Sequence, residues 1–391
     1  MISNSQIDEY SRAIDKVCEL AKMGFNEKVL ALVDAFVLAV DEPERALFRD
    51  AIIDEVYARC SVNASIAAEL ADEFFSQVAA AEAFPVALAP HQDTSLEAVD
   101  ARVRSAAKVL FAAKPNKAAF VNRMESFIER QVSMAANDAM ADNVEAARNR
   151  KVDLRYARMT ASPEPCGFCF MLSSRGFVYR TRFDAGDGHR FHSNCKCRVV
   201  PGIDGKTRVE GYDPEGMQQR WAMCRKTCGS DDAKSIIKEC ETRDAEWLWT
   251  GKEPKPIYLK PKEAFIGAPD EKDLLAHAAL SRNGFAITVR EENAPEGYSN
   301  IDLEINQQLW EIKSPKSGNE RAVESNLRKA KKQFGKQYKP KSTTARVVFN
   351  GQKMELSDEK VAEELVKRMK QHGIEEVLQI RKNGTVKRLR A

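Results

Sequence analysis

Between Asn300 and Lys313 the sequence reads NIDLEINQQLWEIK, and three of its side chains could do chemistry together: Asp302, Glu311 and Lys313. Alternation sends Ile301, Leu303 and Ile305 to one face of a strand and Asp302 and Glu304 to the other. The next segment sends Trp310 and Ile312 one way and Glu311 and Lys313 the other. With Asn306-Gln307 as a two-residue hairpin turn, Leu303 faces Trp310, Ile301 faces Ile312 and Asp302 faces Glu311. The apolar faces then coincide, which supports this register. Two carboxylates directly opposite each other repel, and a divalent metal (Mg, Mn or Zn) held by Asp302, Glu311 and the Ile312 carbonyl would relieve that. Lys313 points to the same side, where it can hold a water beside the metal or stabilise charge on a phosphate. The expected chemistry is metal-dependent cleavage of phosphodiester bonds.

Basic residues follow at once. Lys316, Arg328, Lys329 and Lys332 are placed to track phosphates, and Gln333 to reach a base or a metal-bound water. Net charge agrees: residues 1–150 carry −8 and residues 262–391 carry +6, within a total of +3. An acidic first part and a basic end suggest that the end meets a polyanion.

A second cluster lies upstream, where Cys166-Gly-Phe-Cys169 is followed by His192-Ser-Asn-Cys195-Lys-Cys197. A C-x2-C turn plus a second Cys/His group is the spacing of a structural zinc site. Cys166, Cys169, His192, Cys195 and Cys197 compete for four places, with His189 a sixth candidate. The segment between them has little apolar periodicity, so a metal would stand in for a core. Cys224, Cys228 and Cys240 fall at helical spacing and read as core cysteines.

The elements that must position these groups follow from periodicity. The chain has 391 residues, 43% hydrophobic and 30% charged, which implies several domains and excludes a disordered or collagen-like chain. No apolar run approaches the roughly 20 residues of a membrane span, and the N-terminus lacks a secretory signal, so a reducing cytoplasm is expected. Residues 1–160 read as helices, among them 46–60, 65–80 and a long one from Asn116 to about Thr160. Residues 161–250 hold the Cys/His segment with helices, and 251–262, rich in Lys, Pro and Gly, read as a linker. Residues 263–391 read as a compact α/β domain able to fold alone. Its expected order is helix (270–283), strands (285–290, 301–305, 309–313), helix (319–338), strand (345–349), helix (357–372) and strand (376–381).

Two resemblances attach to these residues. Cys166-Gly-Phe-Cys169-Phe-Met-Leu-Ser-Ser-Arg-Gly, Tyr179 and Phe191-His192-x-x-Cys195-x-Cys197, behind a helical half, resemble the MuF-type minor head proteins of tailed phages. That implies a capsid protein inside the virion near the portal, with portal and capsid proteins as partners. The D-x8-E-x-K constellation resembles the PD-(D/E)XK nuclease superfamily. There the helix before the first strand supplies a further acid, so Glu271 or Asp273 is implied, the spacing to Leu280 and Gly284 favouring Asp273. The run Trp310-Glu-Ile-Lys-Ser-Pro-Lys, the basic helix after it and the closing segment from Glu375 are similar to the tRNA nuclease domain of CdiA toxins. This implies tRNA as substrate in a bacterial host cytoplasm and a cognate immunity protein. A DNA endonuclease, or a structural capsid protein with an inactive tail, are the alternatives.

Overall fold

A computed structural model describes residues 1–111, 114–160, 166–181, 184, 197–259, 271–290, 294–315, 318–338 and 342–391. It divides into two compact units, Met1–Pro163 with Arg175–Tyr212, and Glu164–Ser174 with Asp213–Ala391. The expected segment 161–250 is thus shared between them.

The first unit is mostly helical: α1 (Asn4–Lys22), α2 (Phe25–Leu38), α3 (Glu42–Glu82), α4 (Leu96–Ala107) and α5 (Lys117–Asn149). A capping box starts α1, since the Ser3 hydroxyl accepts from Gln6 N–H while the Gln6 side chain accepts from Ser3 N–H. The two helices expected over 46–60 and 65–80 are one, because nothing between Cys60 and Ser65 breaks the backbone. Ala64, Ala67, Ala68 and Ala71 of α3 are buried, small side chains that allow a close approach to α5. The last long helix ends at Asn149, short of Thr160. The β-rich Arg155–Thr160 forms β1 instead, antiparallel to β2 (Cys197–Gly202).

The second unit begins with α6 (Gly167–Ser173), α7 (Pro214–Cys228), α8 (Ala233–Cys240) and α9 (Ala245–Thr250). Then come β3 (Ile257–Tyr258), α10 (Glu271–Arg282), β4 (Ile287–Val289), β5 (Leu303–Ile305) and β6 (Gln308–Lys313). The chain closes with α11 (Glu320–Gly335), β7 (Arg346–Asn350), α12 (Asp358–His372), β8 (Glu376–Ile380) and β9 (Val386–Arg390). One sheet of order β3-β4-β5-β6-β7-β8-β9 results, with β6, β7 and β8 parallel and α11 and α12 as their crossovers. Sequence reading missed β9, although Asn383-Gly384 between two apolar runs is a hairpin signal. It also missed β3, which lies inside the expected linker and pairs with β4.

Both faces of this sheet are covered, so β7 and β8 are buried without alternation. On one face Leu309, Val347, Phe349, Val377 and Leu389 pack with Val323 and Leu327 of α11 and Leu365 of α12. On the other, Leu303, Ile305, Trp310, Ile312 and Val348 pack with Ala276, Ala279 and Leu280 of α10. Ile301 corrects the sequence reading. It lies before β5 begins and joins the first cluster, not that of Leu303 and Ile305.

The helices before the linker belong to this sheet. Glu239 of α8, 1% exposed, bonds Arg388 of β9 at 2.7 Å and Arg243 at 2.8 Å. The Arg243 guanidinium lies 3.7 Å from the centre of the Phe285 ring. Gly284 abuts Trp247 of α9, where a Cβ would come within 2.3 Å of the indole, and its φ of +80° suits glycine. Residues 263–391 alone would leave Phe285 and Arg388 without these partners, contrary to the expected independent domain. A fragment of residues 213–391 is expected to melt in one cooperative transition, and a fragment of 263–391 in none. Equal cooperativity in circular-dichroism melts of the two would show these helices to be dispensable.

Candidate active site

Asn306 and Gln307 have φ of 50° and 61°, the left-handed pair of a type I′ turn, without the glycine usual there. Asn306 Nδ2 donates to the Thr242 carbonyl at 2.9 Å, which helps hold the turn. The register follows as expected: Ile305 opposite Gln308, Glu304 opposite Leu309 and Leu303 opposite Trp310. One step further stand Asp302 and Glu311. There the strands part: β6 is paired to β5 through Trp310 and to β7 from Glu311 onward. In place of a ladder bond, Ile312 N–H donates to Asp302 Oδ2 at 2.7 Å. The acid pair therefore sits at a fork in the sheet.

Glu311 is 1% exposed, and its Oε1 accepts from Lys313 Nζ at 2.5 Å. Among the described residues its other oxygen, Oε2, is buried without an N–H donor, and the Glu311 carboxyl meets that of Asp302. Burial, and then the charge of Asp302, push the Glu311 carboxyl up to about 8 against the pull of Lys313. A buried acid that resists ionisation, an oxygen without an N–H donor and a second carboxylate beside it fit a divalent cation. Asp302 and Glu311 are the residues that would hold it.

Among the described residues the acids implied on α10 form no metal-holding group of three with this pair. Glu271 is exposed and lies 3.8 Å from Lys353. Asp273 is half-buried in the first turn, which is held at the end of β7 by a 3.2 Å bond from Asn350 Nδ2 to the Lys272 carbonyl. Among the described residues no group of three or more His, Cys, Asp or Glu could hold a metal. Upstream, Cys166 caps α6, Cys169 is buried within it and Cys197 opens β2, while His189, His192 and Cys195 fall outside the described residues.

The basic helix divides by face. Val323, Leu327, Ala330 and Phe334 anchor α11 to the sheet. Glu320, Glu324 and Lys331 turn to α12, through Lys360 at 3.5 Å, Arg368 at 3.2 Å and the Gly373 carbonyl at 3.1 Å. At 100° per residue the opposite flank carries Asn326, Lys329 and Gln333, on the β5 side of the crossover. Arg328 and Lys332 point away from the sheet and are exposed; Lys316 lies outside the described residues. Sequence reading missed Arg290, whose backbone N–H bonds the Asp302 carbonyl at 2.9 Å and whose Nη1 reaches the Ile301 carbonyl at 3.3 Å. A single arginine after a short strand carries no signal that would have marked it.

One consequence concerns stability without metal. The folded protein holds the Glu311 proton more tightly than the unfolded chain, so this group's contribution is full below about pH 4.5 and is lost as pH rises toward 8. Glu311→Gln, which presents an amide to Asp302 and keeps an acceptor for Lys313, is expected to raise stability at pH 8 by ~1–2 kcal/mol in chelator. Denaturant melts at pH 5 and pH 8 check this, the gain being confined to the higher pH.

Comparison with known proteins follows the two halves of the chain. Residues 1–224 match the family model described as VG15 protein, a phage-related family. Residues 299–386 match the model of the contact-dependent growth inhibition CdiA C-terminal domain. Among solved structures, a CdiA-CT/CdiI toxin and immunity complex from Burkholderia pseudomallei is similar at 14% identity, over 35% of this chain and 100% of that one, with a TM-score of 0.26. No curated protein matches the chain.

Proposed function

The chain belongs to the VG15 protein family, and from that premise we propose that it is a phage or prophage minor head protein of the MuF type carrying a nuclease toxin at its C-terminus. The observation that carries the nuclease reading is the pair of half-buried Asp302 and buried Glu311 at the sheet fork, with Lys313 bonded to Glu311 at 2.5 Å. The match of residues 299–386 to the CdiA C-terminal domain supports the toxin reading. The proposed reaction is hydrolysis of a phosphodiester: water adds to phosphorus and one P–O ester bond breaks. The D-x8-E-x-K residues fit the PD-(D/E)XK scheme, with tRNA as the favoured substrate.

A divalent cation (Mg, Mn or Zn) would supply Lewis-acid stabilisation of the phosphate. Asp302 and Glu311 position it, their mutual repulsion being what a cation removes. Lys313, 14% exposed and on the same strand face, orients the attacking water and counters charge developing on phosphate oxygens. Lys329 and Gln333 on the near flank of α11 take the adjoining phosphate and base. Arg328 and Lys332 contribute at longer range, through the basic field of the exposed face.

An active nuclease would harm the cell that makes it, so a cognate immunity protein is proposed as a partner. Portal or capsid proteins are the proposed partners of the first unit, and the virion interior followed by a recipient cytoplasm the proposed locations. No described helix is long and apolar enough to cross a membrane. Incubating the full-length chain with total tRNA and with plasmid DNA, each with Mg²⁺, Mn²⁺, Zn²⁺ or chelator, tests the reading. Cleavage of tRNA with metal is expected; cleavage of plasmid alone would make it a DNA endonuclease. Cleavage of neither would leave a structural protein.

A further inference from the structure

Two tyrosines stand beside the fork without a part in the chemistry so far. Tyr298 is 54% exposed, and its ring lies 5.8 Å from that of Tyr338 at an interplanar angle of 66°. Neither is on a loose tip. Tyr298 N–H closes a turn onto the Pro295 carbonyl at 3.1 Å. The next residue, Ser299, donates to the Lys336 carbonyl at 2.8 Å and accepts from Tyr338 N–H at 3.0 Å. Gln337, 8% exposed, is fixed in turn by Ser342 through both ends of its amide. The rings are thus held at the end of α11 and the entrance to β5. Asp302 follows Ser299 by three residues, about 10 Å of extended chain.

We infer that Tyr298 and Tyr338 form a stacking platform for an unpaired nucleobase next to the cleaved phosphate, so that the substrate is a single-stranded segment. This rests on the nuclease reading. The rings meet edge to face, so Tyr338 props the Tyr298 ring and leaves its exposed outer surface for a base to stack on. A base inside a duplex is already stacked on both faces and cannot stack there, whereas an unpaired base can. The lysine flank of α11 on the same side supplies the backbone attraction that single-strand sites combine with aromatic rings.

The test uses full-length Lys313→Ala protein, to suppress cleavage, and fluorescence anisotropy. The probes are a single-stranded oligoribonucleotide of about 12 nucleotides, its DNA counterpart and its RNA duplex. Tighter binding of single strands than of duplex is expected. Tyr298→Ala and Tyr338→Ala should each weaken single-strand binding roughly 5- to 150-fold, the range for loss of one stacked base. Duplex binding should stay unchanged, and Tyr298→Phe and Tyr338→Phe should restore single-strand affinity. The ribo and deoxyribo arms tell which backbone carries the base, either one supporting the platform. Unchanged affinity in both alanine variants, or equal weakening for duplex and single strand, would overturn it. In that event cleavage by the Tyr variants still scores the nuclease reading separately, which fails only if the unsubstituted chain cuts no nucleic acid.

Discussion

Glu239→Ala is expected to destabilise the second unit by about 3–5 kcal/mol, the range for removing one partner of a buried ion pair. Glu239 is 1% exposed and bonds both Arg243 and Arg388. Without it two guanidinium groups stay buried, Arg388 keeping Glu376 at 2.8 Å and both keeping only the neutral Thr242 hydroxyl in common. Burial by itself would raise the Glu239 carboxyl, but Arg243 and Arg388 outweigh it and hold it below the usual carboxylate range. Its contribution is therefore present above about pH 4.5 and is lost as pH falls below that. Thermal melts of the full chain at pH 7 measure the loss. A melting temperature within about 2 °C of the unsubstituted protein would mean the network adds little.

The larger functional effect belongs to Lys313. Lys313→Ala should lower cleavage by about 10²–10³-fold, the usual loss of a group that stabilises charge in the transition state. The carboxylates remain, so manganese binding measured by calorimetry should persist in the variant. Lys313 is also the hydrogen-bond partner of Glu311 Oε1, which leaves Glu311 still more reluctant to ionise once it is gone. The residual activity of Lys313→Ala should accordingly shift its pH profile upward. Cleavage undiminished in this variant would remove Lys313 from the mechanism.

How far the site was legible depends on the range of each interaction. The hairpin could be read because its turn, alternation and opposed carboxylates are all local, and the register of Leu303 with Trp310 agrees. The fork was not legible. It depends on β7, whose Val347 pairs with Glu311 only through a crossover helix. Alternation failed at Ile301 because that residue precedes the regular strand, so its side chain is not bound to the period of two. The boundary failed for a different reason. Lys, Pro and Gly mark residues 251–262 as loop-like, but a loop composition says nothing about which neighbours the chain has on either side. The partnership of Glu239 with Arg388 spans 149 positions and leaves no trace in either local sequence. The acid choice on α10 also stayed open, since Glu271 and Asp273 are equally suited to a helix start by the dipole.

The most direct test of the central claim is the cleavage rate of tRNA by the full-length chain as Mn²⁺ is raised from excess chelator, for the unsubstituted protein beside Asp302→Asn. Asparagine keeps an acceptor for Ile312 N–H and removes only the charge that faces Glu311. The expected result is a rate that saturates with metal in the first protein and stays at background at every concentration in the second. Equal rates in chelator and in Mn²⁺, or undiminished cleavage by Asp302→Asn, would contradict a metal-dependent site at the fork.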